Sequence, residues 1–121
     1  MKGDDISDRL IDLSVRVIRV VEALPKTVVG RHVGGQLVRA GTSGGSNYEE
    51  ARGAESKADF IHKLGISWKE VRESIYWLKV IQRAELISPA LLAPLIDEGR
   101  QLSAILAKSI TTLKENQADN R

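Results

Sequence analysis

The chain has 121 residues, 18 Lys+Arg against 16 Asp+Glu for a formal net charge of +2, and 42% hydrophobic residues. That is one domain's worth of sequence with enough apolar content to exclude wholesale disorder, and the absence of cysteine excludes disulfides, thiolate metal sites and a cysteine nucleophile. No stretch approaches the roughly 18 apolar residues of a membrane span. The acidic opening "MKGDDISDRL" also lacks the basic-then-apolar order of a signal peptide, so the expectation is a cytoplasmic protein with no membrane partner.

In chain order, Ile6, Leu10, Leu13, Val17, Val20 and Leu24 recur at steps of four and three. This forms one apolar stripe of a helix that Pro25 ends. Residues 27–53 are helical by exclusion: Val33, Leu37 and Ala40 keep a helical step, and nothing alternates as a strand would. A third helix is predicted from Ile61, Leu64, Trp68, Val71, Ile75 and Leu78, after a capping-box-like Ser56 and Asp59. A fourth uses Leu92, Leu95, Leu102, Leu106 and Leu113, after a Ser88 cap and a first-turn Pro89. The predicted fold is all-α, an antiparallel up-and-down four-helix bundle over residues 1–116, with a polar tail at 117–121.

The stretch "RAGTSGGSNYEEARG" at 39–53 superficially suggests a phosphate loop. A Walker loop, however, ends in Gly-Lys-Ser/Thr after a strand, and no lysine lies between Lys26 and Lys57. The spacings Gly30/Gly34 and Gly41/Gly45 instead describe a small-residue face. Each internal glycine costs about 0.5–1 kcal/mol of helix propensity, so the segment implies a closely packed neighbour helix, with a kink.

Catalytic patterns are thin. His32 and His62 lack the spacing that places metal ligands on one helical face. The pair Glu70 and Glu73 is flanked by Lys69 and Arg72 and reads as a solvated face, and serine has no nucleophile-elbow setting. The expectation is no enzyme, no metal and no cofactor.

Two surface patterns stand out. Ile11, Val15 and Ile18 lie on the side of the first helix away from its stripe, and Ile66, Trp77 and Val80 do the same on the third. One bundle cannot bury both sides, which points to self-association. Bases also dominate the first half: Arg16, Arg19, Lys26, Arg31 and Arg39 stand against Glu22 between residues 16 and 39, and Arg9 lies upstream. Multiplied in an oligomer, Arg9, Arg16, Arg19, Arg31 and Arg39 would form a positive surface suited to RNA or DNA.

Residues 39–80, "RAGTSGGSNYEEARGAESKADFIHKLGISWKEVRESIYWLKV", resemble the signature region of a family of four-helix-bundle proteins. That family was first noticed in intervening sequences of bacterial large-subunit ribosomal RNA genes. The likeness is carried by Arg39-Ala40, Ser43, Asn47, Glu50, Ser56, Phe60, Ile61, Leu64 and Tyr76-Trp77-Leu78. Where many members have Asn-Ile-Ala-Glu-Gly, this chain has Asn47-Tyr48-Glu49-Glu50-Ala51. The resemblance implies a ring-like homopentamer with no known enzymatic activity. Through a related retroelement accessory protein it also implies nucleic-acid binding. On the residues alone, Asn47, Glu50 and Ser56 either satisfy helix ends or line a partner surface, with Arg39 pairing Glu50. Two functions remain: a nucleic-acid-binding accessory oligomer, or a scaffold for an unidentified protein.

Overall fold

The computed structural model describes residues 3–119, which form four α-helices: α1 Gly3–Ala23, α2 Val28–Arg52, α3 Lys57–Arg83 and α4 Pro89–Asp119. No strand occurs among the described residues. Of the polar tail expected at 117–121, residues through Asp119 continue α4, and the last two lie outside the described residues.

The helix ends follow local chemistry. Thr27 caps α2 by accepting from Gly30 N at 3.0 Å, and Ser56 caps α3 by accepting from Asp59 N at 3.0 Å, each satisfying one of the donors a helix start leaves unpaired. At the end of α3 the Leu86 N–H donates to Ile81 O and the Glu85 N–H to Gln82 O, with Glu85 at φ 54°. This is a Schellman-type stop with glutamate in the position usually held by glycine.

Side-chain neighbours fix the directions. Along α2, Gly34 lies beside Val21 and Leu24, Gly41 beside Val17, and Gly45 beside Leu10, while Gly44 lies against Val71 of α3. α2 therefore runs opposite to both neighbours, and Gly99 of α4 against Ile75 of α3 continues the alternation. The glycine segment is helical throughout: α2 is unbroken from Val28 to Arg52, so its small residues serve close approach. At Gly30 an added Cβ would fall on the Pro25 carbonyl oxygen, where the chain turns from α1 into α2.

Two serines exploit that approach. Ser14 of α1 donates to Gly41 O at 3.0 Å, and buried Ser67 of α3 donates to Gly44 O at 2.6 Å. Both flanks of α2 are thus bonded to a neighbouring helix at a glycine.

The core is built from Leu10, Leu13 and Val17 of α1, Leu37 of α2, Leu64, Val71 and Leu78 of α3, and Leu92, Leu102 and Leu106 of α4, all fully buried or nearly so. Trp68 and Ile75, expected in the α3 stripe, are only half-buried, while Ser67 and Ser74 are buried. Both serine hydroxyls are satisfied where they are buried, Ser67 by donating to Gly44 O of α2 at 2.6 Å and Ser74 by donating to Glu70 O at 2.8 Å.

Candidate functional site

The five arginines expected to form a basic surface divide into two groups. Arg9 is clasped to α4: Nε and Nη2 donate to the two Glu98 oxygens at 2.9 and 2.6 Å, and Nη2 also to Gln101 Oε1 at 3.1 Å. The Glu98 hydrogen bond raises the Arg9 pKa, fixing its charge in that pair. Arg39 donates to Glu70 at 3.2 Å and to Glu73. Arg16, Arg19 and Arg31 are exposed and form no ion pair among the described residues. Among the described residues Arg31 donates to the Lys26 carbonyl, at 3.2 Å.

The expected pairing of Arg39 with Glu50 does not form. Both lie in the unbroken α2, eleven residues or roughly 16 Å apart along the axis, and Glu50 instead faces Lys63 of α3 at 4.0 Å. Glu70 and Glu73, read from sequence as a solvated face, are the partners Arg39 uses to tie α2 to α3.

The other family-motif residues mostly serve the helices. Ser43 Oγ donates to Arg39 O at 2.5 Å and Asn47 Nδ2 to Ser43 O at 2.8 Å, a chain of bonds one turn back along α2. Ser56 is the α3 cap. Ala51 is fully buried, with Tyr48 buried one turn earlier.

Among the residues expected at an oligomer interface, Ile11, Val15 and Ile18 are 54%, 41% and 40% exposed. Ile66 is half-buried. Trp77 packs against the core, meets His32 edge-on at 6.1 Å, and donates Nε1 to Glu73 at 3.2 Å. It is half-buried, with the Tyr76 ring beside it at 4.9 Å.

A feature the sequence reading missed lies on the opposite flank. Two adjoining depressions of about 440 and 600 Å³ run between α3 and α4, sharing Trp68 and Ala107, and no acidic residue lines either. Lys69 and Lys114 line the first, Arg72, Lys79 and Arg100 the second. None of these five forms an ion pair among the described residues. Arg72 stacks over Trp68 at 5.0 Å, and Tyr76 is an exposed aromatic at the rim. The signal was present in the sequence only as bases on two helices distant along the chain.

Among the described residues no group of three or more His, Asp or Glu side chains is placed to hold a metal ion, and no helix is long and apolar enough to cross a membrane.

Four packed helices, with a glycine-lined second helix hydrogen-bonded on both flanks, define the chain's class as a small helical bundle. It belongs to the 23S rRNA-intervening sequence protein family, whose model matches residues 4–108. A solved protein of unknown function from the S23 ribosomal protein family of Bacteroides thetaiotaomicron is similar at 31% identity. The match covers 92% of this chain and 99% of that one, with a TM-score of 0.83. No curated protein matches.

Proposed function

We propose that this chain acts, without catalysing a reaction, as a cytoplasmic homo-oligomer of the pentameric kind, an accessory factor that holds RNA or DNA by its backbone phosphates. The observation that carries this reading is the set Arg16, Arg19 and Arg31, exposed and without carboxylate partners, beside the exposed apolar strip of α1. Repetition of that set around an assembly turns a modest patch into a multivalent one. Because the contacts are to phosphate, binding falls steeply as salt rises. The internal use of Arg9 and Arg39 favours the second reading, a scaffold for a protein partner.

Multi-angle light scattering, with and without a mixed pool of short RNA and DNA at two salt concentrations, separates them. The expected result is a particle several times 13.3 kDa that gains nucleic-acid mass at low salt and loses it at high salt. A large particle indifferent to nucleic acid leaves the scaffold.

A further inference from the structure

The exposed strip of α1 and the basic groove between α3 and α4 are complementary. At about 100° per residue, Asp4, Asp8, Ile11, Val15, Ile18 and Glu22 fall within one sector roughly 80° wide, and all six are exposed. The strip is thus apolar in its middle and acidic at both ends. Asp4 to Glu22 spans roughly 27 Å at about 1.5 Å per residue. The groove reverses the charge: five cations that form no ion pair among the described residues line it, together with half-buried Trp68 and the small Ala104 and Ala107. Along α3 it extends from Ile61 to Lys79, roughly 27 Å by the same rise.

We propose that the groove of one chain receives the α1 strip of a second copy, an inference that rests on the oligomeric half of the function proposed above. A single contact then covers Ile11, Val15 and Ile18, which the bundle leaves in water, and pairs the groove's cations with Asp8 and Glu22. The two surfaces are on different faces of the molecule, so the contact is heterologous: it repeats from chain to chain, and closes into a ring where the rotation permits. Arg16 and Arg19 lie on the flank of α1 beside the strip, Arg19 nearest to its edge at Asp8. A single-stranded nucleic acid is the competing occupant, because a basic groove with Trp68 and Tyr76 also suits phosphates and stacked bases. It leaves Ile11, Val15 and Ile18 unexplained, and the second copy accounts for them.

Two double variants test the pairing: Ile11→Lys with Val15→Lys, which opposes the strip to the groove by charge, and Lys69→Glu with Arg72→Glu, which reverses the groove. All four positions are exposed or partly exposed, and circular dichroism checks that each variant folds; if one does not, Val15→Lys or Arg72→Glu alone replaces it. By light scattering, each variant is expected as a single chain, and equimolar mixing restores association, since one variant keeps an intact groove and the other an intact strip. A monomeric wild type defeats the oligomeric reading itself. An associating wild type with variants that still assemble, or that fail to associate on mixing, overturns only the head-to-tail pairing. So does a groove variant that keeps its assembled mass but no longer retains a fluorescent single-stranded 20-mer, which assigns the groove to nucleic acid.

Discussion

A methyl added at Gly41 would stand 2.6 Å from Val17 Cγ1 and 2.9 Å from Cγ2, whereas at Gly35 it would meet nothing within 4 Å. Helix propensity favours alanine at both by about 0.5–1 kcal/mol, so packing alone separates them. Val17 is stiff and fully buried, and overfilling such a site costs about 1–3 kcal/mol. Urea unfolding should therefore show Gly35→Ala stabilised by about 0.5–1 kcal/mol and Gly41→Ala destabilised; the same sign at both positions refutes the close-approach account of α2. Tyr48 gives a second residue-level prediction. Burial pushes its phenol up, with Arg52 acting against and Glu49 and Asp4 with it. The native state thus keeps a proton that the unfolded chain releases near the ordinary value of about 10. The resulting stability is complete below that pH and is lost as pH rises through the higher native value. Its hydroxyl donates to Gly3 O at only 3.4 Å, a weak bond. Tyr48→Phe should change the thermal midpoint little at pH 7 and flatten its fall above about pH 10; an unchanged alkaline slope would show that Tyr48 does not contribute to it.

At the scale of elements, α1 and α4 are joined by a bidentate charged pair. Arg9 grips both oxygens of Glu98, each side chain being about three-quarters covered, and a bidentate charged pair is stronger than a typical surface contact. Glu98→Gln should cost about 0.5–1.5 kcal/mol in urea unfolding, with a smaller difference from wild type in 1 M salt. A difference that does not respond to salt means that shape rather than charge joins α1 to α4. The apolar heptads made α1, α3 and α4 legible in the sequence, because each buries one regular stripe. α2 was found only by elimination, since its contact faces are made largely of glycine, alanine and serine, which carry almost no hydrophobic period. For the same reason the burial of Ser67 and Ser74 in place of Trp68 and Ile75 could not be read ahead of the structure: it depends on which residues of α2 oppose α3. The Arg39–Glu70–Glu73 cluster and the basic groove were hidden differently, as each joins side chains from two helices. Spacing within one helix says nothing of such pairs.

For the whole molecule, the order of the helices places its least self-sufficient element at the centre of the packing. α2 contacts both α1 and α3 closely, yet its sequence VVGRHVGGQLVRAGTSGGSNYEEAR carries six glycines, a propensity deficit of about 5 kcal/mol relative to alanine. No isolated segment of that kind propagates helix against such a deficit. Its ordered form is borrowed from its neighbours, through the Val17 and Val71 contacts and the serine hydrogen bonds to Gly41 and Gly44. In time rather than space, α2 is therefore a late arrival. While the chain is being synthesised, α1 and then α2 emerge first, but α2 has no second flank to rest on until α3 has followed. The protein's middle is committed to its final shape only once the far side of the bundle exists to receive it.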